Sequence, residues 1–193
     1  DEAMSAGDYA SAIEYLHEAI SKEPESALNH YKLYRLYNRR RNYDNALQYI
    51  EQAAQLDNSS EYLSVKAKLL VTLGQCDRAV ADYDMLLQSS IITPENPDVL
   101  KAQNCHYAIS EANNAYLNQD YERAASLYHE ALQYVEHGTD LVWPKAVSLF
   151  HIGDYYGVIS ETGKLLKLQN NNIDCYRLRG SAYFRLGDHD QAI

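Results

Sequence analysis

The sequence predicts an all-α fold: a superhelix of stacked helical hairpins, an α-solenoid, in which a long helix joins two blocks. Three observations lead there. A turn phrase recurs as AGDYASA (6–12), RRNYDNA (40–46), LGQCDRA (73–79), NQDYERA (118–124), IGDYYGV (152–158) and LGDHDQA (186–192). Its turn residues, Gly7, Arg41, Gly74, Gln119, Gly153 and Gly187, are evenly spaced, except that one interval, from Gly74 to Gln119, is longer than the rest. A small residue then follows at one fixed offset, Ala12, Ala46, Ala79, Ala124 and Ala192, with Val158 the larger exception.

Each phrase reads as a helix stop, a turn and a helix start. Gly tolerates the closing geometry, and the Asp or Asn beside it caps the helix that follows. Two amphipathic helices per period of about 34 residues is the pattern of tetratricopeptide repeats, which the chain resembles along essentially its whole length. The alanines open each second helix where it crosses the first, and a bulky residue at Ala46 is expected to cost about 1–3 kcal/mol by overpacking. Further along the second helix stand Ala19, Ala53 and Ala131, with Leu86 and Leu165 at equivalent places. Pro24 closes the first repeat. Both ends fall inside the phrase, so the chain is expected to be cut within a repeat.

The long interval carries its extra residues between Leu87 and Leu117. Pro94 and Pro97 break the chain, after which 97–117 runs without Gly or internal Pro and predicts one helix about 31 Å long. The expected organisation is a first block over 1–93 with three repeats, the first truncated. The second block, over 94–193, comprises the long helix and three repeats, the last truncated.

Composition narrows the function. Hydrophobic residues are 46% and charged residues 23%, values of a folded globular chain rather than a disordered or membrane one. With Tyr at 18 against 2 Phe and 1 Trp, much of the aromatic packing carries a hydroxyl that can reach water, which suits thin layers. A net charge of −10 excludes a general nucleic-acid binder. No apolar run reaches the roughly 20 residues of a membrane span, so no membrane insertion is expected. Cys76, Cys105 and Cys175 are widely separated and odd in number, and are expected to form neither a zinc site nor a disulfide framework. His17 and His129 share one repeat position and read as surface residues. No metal, cofactor or catalytic motif is found, and carboxylates are expected at solvated helix positions. A non-enzymatic scaffold is the expectation.

In such arrays the first helix of each repeat lines the concave face. In the first block this picks out Met4, Leu28, Tyr31, Lys32 and Arg35, then Val65, Lys68 and Val71, a mixture of apolar and basic groups. In the second block it picks out Ile109, Tyr116, Trp143 and Val147, then Phe150, Leu178 and Phe184. Trp143 is either a packing anchor or a binding hot spot. The run Arg39–Arg41 is either a solvated helix end, where cations suit the dipole, or a patch for an acidic ligand. One class of these repeats grips the carboxylate tail of Hsp70 or Hsp90 with Lys, Asn and Arg side chains. Here the equivalent sites hold Ile109, Asn113, Pro144, Asp174 and Leu178, which make no clamp.

Two stretches, PENPDVLKAQNCHYAISEANNAYLNQDYERA and KLLKLQNNNIDCYRLRGSAYFRLGDHDQAI, resemble the repeat region of the endoplasmic-reticulum J-domain co-chaperones, first described as inhibitors of the interferon-induced kinase. The resemblance implies three-repeat blocks joined by long helices, of which this chain matches the first and most of the second. It implies misfolded or extended polypeptide clients held by the first-block groove. It also implies delivery to an Hsp70 through a J domain expected outside this stretch, since no His-Pro-Asp occurs within 1–193. Lumenal residence follows from the family, with the cytoplasm as the alternative; Asn58-Ser59-Ser60 is a glycosylation acceptor compatible with a lumen. The rival function is a regulatory adaptor or kinase inhibitor acting through a surface such as Arg39–Arg41.

Overall fold

A computed structural model of the chain describes residues 8–168 and 170–192. Among the described residues there are ten helices and no strand: α1 Tyr9–Lys22, α2 Ala27–Arg39, α3 Tyr43–Leu56, α4 Ser60–Thr72, α5 Cys76–Gln88, α6 Pro97–Leu117, α7 Tyr121–Tyr134, α8 Thr139–His151, α9 Tyr155–Leu168 and α10 Ile173–Leu186. The long helix α6 covers 21 residues.

The turns form for a reason written in each phrase. Arg41, Gly74, Gln119, Gly153 and Gly187 all have left-handed φ, between 55° and 82°. At Gln119 this lets the Asp120 amide reach the Ala115 carbonyl at 2.9 Å while the Gln119 amide reaches Tyr116 at 3.0 Å, a Schellman closure of α6. The same pair of bonds ends α2, α8 and α10. The next residue then starts the following helix. Asp120 Oδ1 accepts from the Arg123 amide at 3.3 Å, and Asn42, Asp154 and Asp188 accept likewise from the amide three positions on.

Consecutive helices pack as hairpins: α1 on α2, α2 on α3, α7 on α8, α8 on α9 and α9 on α10. At the crossings Ala46, Ala79, Ala124 and Val158 are fully buried, so Val158 is accommodated like the alanines. The chain separates into two compact units, Asp1–Leu70 with Asp77–Val99, and Val71–Cys76 with Leu100–Ile193.

Two expectations are corrected. Cys76 and Cys105 form a disulfide between the first residue of α5 and the middle of α6, with Cα atoms 5.9 Å apart; Cys175 is a free, buried thiol. Spacing along the chain carried no sign of this, because the pairing depends on which helix lies beside which. Secondly, the carboxylates are not all solvated. Asp82 and Glu161 are buried. Each follows a lysine at the same offset along the chain and is neutralised by it: Lys66 reaches Asp82 at 2.8 Å, and Lys145 reaches Glu161 at 2.8 Å. Each pair ties the two helices of one repeat, α4 to α5 and α8 to α9.

Candidate protein-binding surface

In the first compact unit the surface is built on α2, which carries two stripes. His30, Leu33 and Leu36 are buried; Leu33 and Leu36 form a cluster with Ala12, supported by Leu16, Ile20 and Tyr49. The opposite stripe holds Leu28, Tyr31, Lys32 and Arg35, spaced so that they share one helix face. Leu28 is 52% exposed, an apolar side chain held out to solvent at the start of the helix. Tyr31 is half-buried, stacked on Tyr34 at 5.7 Å and leaning on Tyr62 of α4 at 5.1 Å. Burial pushes the Tyr34 and Tyr62 phenols up, so these two rings are neutral at physiological pH.

Helix α4 adds a half-buried Val65 and Lys68, whose ammonium pairs with Asp98 at 2.9 Å. Lys68 is therefore less available to a ligand than the sequence implies. Val71 is a correction: only 3% of it is exposed, so it belongs to packing and offers nothing to a partner. Met4 lies outside the described residues. Arg39, Arg40 and Arg41 are exposed at the end of α2, with the Arg40 guanidinium 5.9 Å from the Tyr9 ring centre.

In the second compact unit the expected residues divide. Trp143, with Val142, packs on Leu165, Leu166 and Cys175 and remains half-buried. Ile109, Val147 and Leu178 are half-buried. Tyr116 meets Tyr121 and Tyr128 edge-on at 5.9 and 6.4 Å. Tyr128 donates to Asn113 Oδ1 at 2.7 Å, and its phenol is pushed up to about 12 by burial and by Tyr116. Asn113, the one clamp-like asparagine, is thus engaged within the fold. Phe150 and Phe184 do come together, in an open cleft of about 670 Å³ shared with Tyr176, Arg177 and Arg185. The sequence reading missed Tyr176 and Arg185 there; Tyr176 lies one helical turn from Gly180, whose lack of a side chain lets the Ala192 carbonyl approach.

Chemically the first surface offers exposed aliphatic and aromatic area flanked by cations, and the second an aromatic cleft with guanidinium groups. Among the described residues no group of His, Cys, Asp and Glu could hold a metal ion, and no helix is long and apolar enough to cross a membrane.

Residues 3–69 match the family model described as tetratricopeptide repeat. The chain has the tetratricopeptide-repeat fold. It is similar to the solved P58(IPK) TPR domain, with a TM-score of 0.78 and 21% identity over 99% of this chain and 55% of that one, a likeness of fold. It is 32% identical over 158 residues to the DnaJ protein P58IPK homolog B of Oryza sativa subsp. japonica, covering 79% of this chain and 33% of that protein. With the DnaJ homolog subfamily C member 3 of Gallus gallus it shares 23% over 194 residues, covering 98% of this chain and 39% of the relative. The chain thus spans between a third and two fifths of these curated relatives.

Proposed function

We propose that this chain is the client-holding part of a co-chaperone: a non-enzymatic scaffold that binds misfolded or extended polypeptide and passes it to an Hsp70 through a J domain elsewhere in the protein. The observation that carries the reading is the α2 stripe, where Leu28 is 52% exposed beside Tyr31, Lys32 and Arg35 while the other stripe of the same helix is buried. Exposed apolar area is costly to leave in water, and a helix with one satisfied core face has no internal need for a second. Binding should be weak and tolerant of sequence, because one leucine and a half-covered tyrosine supply little specific contact. In the second unit, the cleft at Phe150 and Phe184 is a separate surface for polypeptide.

The compartment in this reading is the endoplasmic-reticulum lumen. The Cys76–Cys105 bridge supports it, since disulfides persist in oxidising compartments and are rare in the cytosol. Both half-cystines are buried.

The test follows aggregation of a chemically denatured substrate by light scattering. Leu28→Asp, at an exposed site, is expected to abolish most protection while leaving the circular dichroism and melting of the protein unchanged. Tyr31→Asp should lose protection too, with some loss of stability because its ring is packed. Arg39→Glu/Arg40→Glu, which addresses the rival reading of a kinase-inhibiting or adaptor surface formed by the exposed arginines, is expected to keep protection. Loss confined to the arginine variant would reject the α2 stripe as the client site.

A further inference from the structure

We propose that Asn58 is an N-glycosylation site, an inference that rests on the lumenal reading above. Asn58-Ser59-Ser60 is the one Asn-x-Ser/Thr tripeptide in the sequence. Sequence alone makes such a tripeptide a weak signal; its placement strengthens it. Asn58 sits in the short connection between α3 and α4, and Gln55, Leu56, Asp57 and Asn58 are all exposed. A branched sugar there meets solvent, and not a packed helix. Local structure is held by the neighbours of Asn58. The Asp57 amide closes α3 on the Ala53 carbonyl at 3.0 Å, and the Ser59 carbonyl accepts from the Leu63 amide at 3.1 Å. Derivatising the Asn58 amide therefore breaks neither of these helix-end bonds. One period earlier the equivalent position is Pro24, also exposed, so the repeat packing makes no demand on the side chain here.

The second, independent observation is the Cys76–Cys105 disulfide. It needs the same oxidising secretory compartment in which glycans are transferred to nascent chains. In that transfer the Asn58 side-chain nitrogen bonds to C1 of an oligosaccharide, and the bond from that carbon to the pyrophosphate of a polyisoprenoid donor breaks. The polyisoprenyl pyrophosphate leaves, and the amide proton passes to the transferase. The Ser60 hydroxyl is the group the transferase reads.

The experiment uses the full-length protein expressed in eukaryotic cells and isolated with its thiols alkylated. Peptide N-glycosidase F is expected to shift the wild type by one step in electrophoretic mobility and to convert Asn58 to Asp, read by mass spectrometry. Asn58→Gln and Ser60→Ala should both lose the shift, whereas Ser60→Thr keeps it. Non-reducing electrophoresis reports the disulfide in the same sample. No shift in the wild type while Cys76–Cys105 is bridged would overturn the glycan and leave the lumenal reading standing. No shift with both thiols free would overturn the two together.

Discussion

Replacing Cys76 and Cys105 together by Ala should reduce stability by about 3.5 kcal/mol, the chain-entropy value at 25 °C for a bridge between residues with a sequence separation of 29. Alanine is the right replacement. Both side chains are buried, so serine would add an unsatisfied hydroxyl and confound the loop term. For a urea dependence of roughly 2 kcal/mol per M the unfolding midpoint falls by about 1.8 M. On heating, a chain of this size loses about 2–4 °C per kcal/mol, so the melting temperature should drop by about 7–14 °C. The assay is urea unfolding followed by circular dichroism, for wild type and double variant, each with and without dithiothreitol. Reductant should bring the wild type down to the level of the variant and leave the variant unmoved. If the oxidised wild type and the double variant unfold at the same midpoint, the bridge constrains nothing and the reasoning fails, and with it one support of the lumenal assignment.

Backbone strain and charge burial give two further tests. Gln119 sits at φ 61°, where a residue with a Cβ is strained by roughly 1–2 kcal/mol and glycine gives back about 0.5–1 kcal/mol in chain entropy. Gln119→Gly should therefore stabilise by about 0.5–1 kcal/mol, and Gly153→Ala, where φ is 82° and no atom would clash with the new methyl, should destabilise by a similar amount; calorimetry showing the opposite signs would exclude the strain account. At Glu161 burial pushes the carboxyl up, yet hydrogen bonds from Lys145 and Lys164 outweigh it and hold the group below its ordinary value. A depressed folded pKa means the contribution is present above the unfolded value, near 4.3, and lost as pH falls through the folded one. Glu161→Gln should then cost about 3–5 kcal/mol at pH 7 by leaving Lys145 buried without its partner. Its acid-induced loss of stability should also be shallower than that of the wild type. Asp82 runs the other way, since burial raises its carboxyl despite Lys66, so Asp82→Asn should leave the acid limb at least as steep.

Much of the candidate surface was legible from helical spacing. Leu28, Tyr31, Lys32 and Arg35 share a face because of the helical period, and the repeat register places that face opposite His30, Leu33 and Leu36. The same spacing failed at Val71, which is buried, and at Trp143 it did not show that part of the indole packs on Leu165, Leu166 and Cys175 of the two helices that follow. Register identifies a direction out of a helix; whether a neighbour already fills it depends on the size and lean of side chains on another helix. Lys68 was read as a groove cation and pairs with Asp98 for the same reason. The two buried ion pairs did leave a trace, since Lys66 and Asp82 in the third repeat stand at the same offset as Lys145 and Glu161 in the fifth. Its meaning needs the knowledge that those positions face each other across a hairpin.

What the sequence by itself determined is everything set by neighbours within about one helical turn: where helices stop, which residue takes the left-handed φ, which oxygen caps the next helix and which small residue marks a crossing. Those choices recur from one repeat to the next and are decided by backbone sterics and short-range hydrogen bonds. Only the tertiary structure decided that Cys76 meets Cys105, that Glu161 is neutralised in the interior, and which side chains of the α2 stripe remain open. Such outcomes depend on how hairpins lie against one another, and the energy that sets this is summed over many weak, non-local contacts that no single stretch of chain encodes.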